Sequence, residues 1–203
     1  MSWPLHGLRL TTPDLVLRGM TEADALALGE VKPADLTTDP SHPDLGYAVE
    51  QTYWRHVGQW KVQDWVLPFT VVRDGELLGV QAIEGKDFLV RRVVDSYSWL
   101  LASVRGQGVG KQMRAAVLTL AFSGLGASCA ISEADEGNAA SLGVSHALGY
   151  KDNGVAIELD DDPTRSVRRH HLLLESADFR SPWPVTIEGF EPCLSLFGLD
   201  DSG

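Results

Sequence analysis

Two rhythms of apolar positions run along the chain. Alternation from Leu15 to Met20 predicts a short strand. Thr21 follows as an N-cap, with Asp24 three positions later in a weakened capping box, and the helix it opens runs to about Val31. Residues 32–48 are rich in Pro, Asp, Thr and Ser and predict a loop. Val49, Tyr53, His56, Val57 and Trp60 recur at helical spacing and predict a helix over Val49–Gln63. Val66–Arg73 and Glu76–Glu84 predict two strands, with Asp74-Gly75 between them as a hairpin signal. A strand from about Val93 to Ser103 runs into a glycine-rich loop, and the helix beyond it carries Val109, Met113, Ala116, Val117 and Leu120 as one apolar stripe ending near Phe122. Ala127–Ala134 is a short buried strand, Asn138 opens a helix that stops near Gly149, and Val155–Leu159 and Arg168–Leu174 are strands joined by a polar turn. The last stretch, 178–203, holds a strand at Val185–Phe190 and an apolar end at Leu194–Leu199, and is expected to pack on the domain or on a dimer partner. With no internal repeat or linker, residues 1–203 are expected to form one domain. Strands and helices interspersed in this way make an α/β domain.

The glycine-rich loop carries the strongest chemical signal. Arg105-Gly106-Gln107-Gly108-Val109-Gly110 lies between the apolar run Tyr97-Ser98-Trp99-Leu100-Leu101-Ala102 and the next helix. A helix N-terminus has unpaired N–H groups and the positive end of the helix dipole, so it attracts anions. Glycines let that backbone approach a pyrophosphate. A dinucleotide fingerprint needs glycine at position 111, which is Lys111. A P-loop needs glycine at 105 and Ser or Thr at 112, which are Arg105 and Gln112. The pattern that fits is Arg/Gln-x-x-Gly-x-Gly/Ala, the loop that holds the pyrophosphate of coenzyme A, met by Arg105, Gly108 and Gly110.

Other segments agree with it. Thr11-Thr12-Pro13-Asp14-Leu15-Val16-Leu17-Arg18 with Thr21-Glu22-Ala23-Asp24-Ala25, then Ser98-Trp99-Leu100, then Asn138-Ala139-Ala140-Ser141 with Leu148-Gly149-Tyr150, stand in order along roughly residues 8–176. In these the chain resembles GNAT-fold acyltransferases of the branch that includes the ribosomal-protein N-terminal acetyltransferases. The opening Trp3-Pro4-Leu5 with Leu8-Arg9-Leu10-Thr11-Thr12-Pro13, the strand Val94-Asp95-Ser96 and the helix Met113-Arg114-Ala115-Ala116-Val117-Leu118 are similar to a bacterial branch proposed to use succinyl-CoA. The resemblance implies an α/β fold with a mixed, mostly antiparallel twisted sheet flanked by helices, and acyl transfer from acetyl-CoA or succinyl-CoA to a primary amine, by direct attack and without a metal. It places Arg105, Gly106, Gln107, Gly108, Val109, Gly110 and Lys111 on the pyrophosphate. It places Trp99, Leu100 and Leu101 on the strand whose backbone bonds the acyl carbonyl and pantetheine arm, Asn138 on pantetheine, and Ser141 near the sulfur.

Such a transfer needs a base for the amine, a donor for the developing oxyanion and help for the leaving thiolate. Ser141 is the candidate acid. Asp95 and Glu133 are the candidate bases, with Asp135 beside Glu133 at the same strand end. Burial beside Trp99 is expected to raise a carboxylate's pKa, and a solvated strand-end charge is the plainer alternative. A succinyl carboxylate needs a cation or amide near it, for which Arg91, Arg92 and Gln81 are candidates. His146 lies in the helix after Ser141, and Arg168, Arg169, His170 and His171 read as a charged strand edge that discourages pairing. Glu158 and Asp160-Asp161-Asp162 form an acidic turn.

Composition narrows the alternatives. The chain has 203 residues, 44% hydrophobic and 22% charged, with a formal net charge of −11. That balance is globular, and its sign argues against nucleic-acid binding while suiting a cationic acceptor, whether a small amine, a protein N-terminus or a lysine. No apolar stretch reaches the length of a membrane span, and Met1-Ser2-Trp3-Pro4-Leu5 does not read as a signal peptide. Cys129 and Cys193 are too few for a disulfide framework and read as reduced thiols of a cytoplasmic protein. No Cys/His spacing suggests a metal. Two other classes stay open: a catalytically silent CoA-binding regulator on the same fold, and a structural protein, dimeric through its tail, with an empty loop. A homo-oligomer is compatible with all three.

Overall fold

The computed structural model describes residues 3–31, 49–159 and 164–199. The expected loop at 32–48, the acidic residues 160–162 and the end of the tail at 200–203 lie outside the described residues.

Two sheets share the chain. The first has six strands in the order β10-β1-β2-β3-β4-β6, and the second has four in the order β5-β7-β9-β8. The strands are β1 (Arg9–Thr11), β2 (Val16–Gly19), β3 (Trp65–Arg73), β4 (Glu76–Gly85), β5 (Val93–Val94), β6 (Ser98–Leu100), β7 (Cys129–Asp135), β8 (Lys151–Leu159), β9 (Ser166–Glu175) and β10 (Thr186–Glu188). Every strand pair is antiparallel except β5 with β7. The helices are α1 (Glu22–Val31), α2 (Val49–Gln59), α3 (Phe88–Arg91), α4 (Val109–Thr119) and α5 (Ala139–Ala147).

The pleat of the first sheet sorts its residues between two helical layers. Leu67, Phe69 and Val71 of β3 face the α4 side, where they join Met113, Val117 and Leu118 in the main core. Val80 and Trp99 face the other side, under Ala25 and Leu28 of α1 and Val49 and Tyr53 of α2. Helix α4 is buried nearly all round: Gln112 to Leu118 are all buried, not the stripe alone. It is sandwiched between the first sheet and the inner face of the second, where Ala130, Leu172 and Leu174 meet it.

The tail packs on this same body. Strand β10 extends the first sheet by pairing with β1. Phe197 stands edge-on to Trp65, with ring centroids 4.9 Å apart, and Trp60 Nε1 donates to the Leu196 carbonyl at 3.0 Å. Strand β10 falls inside the strand expected at Val185–Phe190, whereas β1 and the short helix α3 are too brief for a periodicity argument to find.

The largest departure from the sequence expectation is at 93–103. One continuous strand is expected there, but the chain breaks into β5 and β6, which belong to different sheets. Asp95 exchanges backbone hydrogen bonds with Glu84, both at 2.9 Å, and so carries the chain from the second sheet to the first. Residues 102–104 form a 3-10 turn instead of continuing the strand.

Gly79 fixes how closely β6 approaches. It sits at φ 150°, and a Cβ placed there would fall 2.2 Å from the Trp99 carbonyl oxygen and 2.9 Å from Leu100 Cα. Gly79→Ala is expected to cost about 1–3 kcal/mol in urea unfolding, because rigid backbone must shift to relieve the contact. An unchanged midpoint would show that β6 is free to move.

Candidate active site

Strands β6 and β7 point the same way yet do not pair. Their common origin is the parallel contact of Val93 with Cys129 and Val94 with Ala130. Beyond it, the backbone of 95–101 bonds to β4: Ala82 N–H donates to the Tyr97 carbonyl at 2.8 Å, and Leu101 N–H donates to the Leu78 carbonyl at 2.9 Å. An antiparallel ladder alternates, so the odd residues face β4 and the N–H groups of Ser98 and Leu100 face the opposite, open edge. Residues 131–135 of β7 likewise have no strand partner on that side among the described residues. The result is a wedge-shaped gap with a row of backbone donors on one wall.

Two helix N-termini stand at its mouth, because α4 follows β6 and α5 follows β7. Gly108 is the N-cap of α4 at φ 84°, and no side chain caps this end. Gly106 also has positive φ, 74°, and a Cβ at either glycine would meet no atom within 4 Å. The empty space in front of both glycines is what close approach by a ligand requires. Arg105, Gly106, Gln107, Gly108 and Lys111 are exposed, while Val109 turns into the core. Arg105 Nε donates to the Leu100 carbonyl at 3.0 Å.

At the second N-terminus the Asn138 side chain accepts from Ser141 N–H at 3.1 Å. Asn138 is therefore a true N-cap, and Ser141 is half-buried on the first turn of α5. Trp99 is buried against α1 and α2, whereas Leu100 and Leu101 pack only in part.

The three candidate carboxylates differ in their surroundings. Asp95, Tyr97 and Trp99 alternate onto the α1/α2 face, and Glu133 of β7 lies near enough to Asp95 to act on its charge. Burial of Asp95, reinforced by the nearby Glu84, pushes its carboxyl from 3.8 up to about 7. Glu133 lies 3.5 Å from His171 Nδ1 and 3.9 Å from Arg169, and Asp135 accepts from Arg169 Nε at 3.0 Å. These two are engaged in ion pairs, and Asp95 is the one held near neutrality. On the same face His56 is kept neutral, its pKa lowered to about 4 by burial and then by Arg55, beside the Tyr97 ring.

The structure corrects the reading of the late cationic run. Strand β9 is not an edge: it lies between β7 and β8. Arg169 is 2% exposed and is held by Asp135 and by Glu158, the latter at 3.1 Å. Buried cations in a sheet interior need such carboxylates, and pairing across strands, not sequence spacing, supplies them. His171 lies opposite Glu133 for the same reason. His146 pairs with exposed Asp152 at 3.0 Å. Arg91 and Arg92 end α3, before β5 begins and so at the far end from the mouth, with Arg92 donating to the Leu125 carbonyl. Gln81 is fully buried and gives its amide hydrogens to the Ala82 and Tyr97 carbonyls.

Two cations were invisible to the sequence argument. Arg114 is 5% exposed on α4 and donates to Ser132 Oγ at 3.3 Å, with the hydroxyl of Tyr150 beside it. Its Nε has no partner, and no carboxylate lies within 4 Å of it among the described residues. Arg73, at the end of β3, donates to Gln107 Oε1 at 3.3 Å. The signal for Arg114 was its place within an otherwise apolar helical run. Nothing local marked Arg73.

A raised carboxyl pKa makes stability fall with pH. The folded protein holds the Asp95 proton more tightly than the unfolded chain does, so stability declines from about pH 4 to about pH 7 and levels off above. Asp95→Asn is expected to match the parent near pH 4 and to exceed it by up to a few kcal/mol at pH 8. Chemical denaturation at the two pH values measures this, and parallel pH curves would contradict the burial of the charge.

Comparison with known proteins agrees with this geometry. Mycobacterium smegmatis RimJ in complex with CoA-disulfide superposes at a TM-score of 0.72 over 96% of this chain and 97% of that one, at 16% identity. RimL, a ribosomal L7/L12 α-N-protein acetyltransferase in complex with coenzyme A, gives 0.68 over 80% and 94%, at 18% identity. A GNAT-family acetyltransferase from Bacillus anthracis gives 0.69 over 83% and 99%, at 13% identity. At such identities these likenesses establish the fold. The family model of the acetyltransferase (GNAT) domain matches residues 14–151, and since that is well over half of the sequence, the chain belongs to the GNAT acetyltransferase family.

Proposed function

We propose that this protein transfers an acyl group from a coenzyme A thioester to a primary amine, by direct attack of the amine on the thioester carbonyl. The observation that carries the reading is the gap between β6 and β7, lined by unpaired backbone donors and closed at its mouth by the uncapped N-terminus of α4. The pyrophosphate sits on the N–H groups of Gly108, Val109 and Gly110, with Arg105 and Lys111 beside it. The pantetheine arm lies along the open edge of β6, and an N–H of Ser98 or Leu100 bonds the carbonyl as it gains negative charge.

The amine arrives from the α1/α2 face. Asp95 takes its proton, a role suited to a carboxyl near 7. The nitrogen attacks, the C–S bond breaks, the proton the nitrogen sheds after attack goes to the departing sulfur, and Ser141 donates a hydrogen bond to that sulfur as it leaves. Glu84 and Glu133 make this face acidic, which favours a cationic acceptor. Asp95→Asn is expected to lower kcat/KM about 10²- to 10⁴-fold and to abolish a pH limb near 7. An unchanged profile would assign the base elsewhere.

The donor favoured here carries a carboxylate, as succinyl-CoA does. What supports this is Arg114, a buried guanidinium on α4 whose Nε has no hydrogen bond and which forms no ion pair within 4 Å among the described residues, with Asp95 as an electrostatic partner. Burying a charge without a partner is costly, and a ligand carboxylate relieves that cost. Arg91 and Arg92 are too remote for this role, and Gln81 spends its donors on backbone. Arg114→Met is expected to reduce turnover with succinyl-CoA at least tenfold while sparing acetyl-CoA. Equal losses with both donors would favour acetyl transfer instead.

A further inference from the structure

Arg73 reaches the cofactor loop from outside it. It ends β3, ahead of the Asp74-Gly75 hairpin, and its guanidinium donates to Gln107 Oε1 at 3.3 Å. Gln107 is itself held, since its Nε2 donates to the Ser103 carbonyl at 2.8 Å. Gln107 therefore joins the 3-10 turn of 102–104 to the hairpin through Arg73. The guanidinium has five N–H donors, of which Gln107 uses one. It forms no ion pair among the described residues. In a chain of net charge −11, Arg73 of β3 joins Arg105 and Lys111 at one loop through its bond to Gln107.

Coenzyme A presents two separate anionic groups, a pyrophosphate and a phosphate on the ribose 3′ oxygen. The N–H groups at the start of α4, with Arg105 and Lys111, account for the first. Arg73 stands on the outer flank of the same loop, with donors left over. Resting on the coenzyme reading above, we infer that Arg73 binds the ribose 3′-phosphate and so selects coenzyme A over its 3′-dephospho form. A planar guanidinium suits a phosphate dianion, because two parallel N–H groups meet two oxygens. Arg73 thus does two things with one side chain: it steadies Gln107 and it reads the nucleotide end of the cofactor.

The test is calorimetric binding of coenzyme A and of 3′-dephospho-coenzyme A to the parent protein and to Arg73→Met. The parent is expected to bind coenzyme A about tenfold more tightly, a difference of about 1.4 kcal/mol. Arg73→Met is expected to erase that preference by weakening coenzyme A more than the dephospho form. If Arg73→Met weakens both ligands equally, Arg73 only steadies the loop and the inference is overturned. A parent with no preference between the two also overturns it. If the parent binds neither, the coenzyme reading itself falls, which is a different failure from a lost preference.

Discussion

A backbone N–H has one good partner at a time, and Asp95 and Leu101 have already given theirs to the Glu84 and Leu78 carbonyls of β4. That constraint organises the molecule. The chain leaves the second sheet after Val94, is captured by the paired bonds between Asp95 and Glu84, and runs on as the edge of the first sheet. Strand β7 continues straight and cannot follow. Helix α4 fills the space behind the diverging strands with Met113, Ala116 and Val117, so the gap is propped open by packing and not by chance. Gly79 lets β6 lie close enough to β4 for this capture to hold. The open edge of β6 and the uncapped end of α4 are then consequences of one divergence. Both are groups that the fold leaves for something else to satisfy.

Charge is divided in keeping with that geometry. Cations collect at the mouth, where Arg73, Arg105 and Lys111 surround the glycine turn. Carboxylates collect on the α1/α2 face, where Glu84, Asp95 and Glu133 lie near one another. In the proposed reaction this separation would let an anionic coenzyme and a cationic amine approach from opposite faces. Asp95 sits where the strands part. It is the carboxylate whose burial holds it near neutrality, while Glu133 and Asp135 are drawn into the Arg169 network.

The glycine turn, the amphipathic helix beyond it and the hairpin at Asp74-Gly75 were legible because each is a local pattern. The mostly antiparallel sheet followed from the resemblance to GNAT-fold acyltransferases, since apolar runs alone do not set strand direction. The break at Asp95 was not legible, because Val93-Val94 and Ser98-Trp99-Leu100 are equally good strand formers and only long-range pairing assigns them to different sheets. The Arg168–His171 run misled for a related reason: four polar residues suggest an edge, yet cross-strand carboxylates make β9 an interior strand. Asn138 and Ser141 were legible as a helix start. The engagement of Glu133 and the bond from Arg114 to Ser132 depend on partners distant in sequence.

The central claim is that a cofactor supplies the missing partners along the gap. Amide hydrogen exchange, compared with and without saturating acyl-CoA, tests it most directly. The account predicts slowed exchange at Ser98 and Leu100 on β6 and at Val109 and Gly110 at the start of α4, with little change at β8 and β10. Binding that left those four amides unprotected would contradict it.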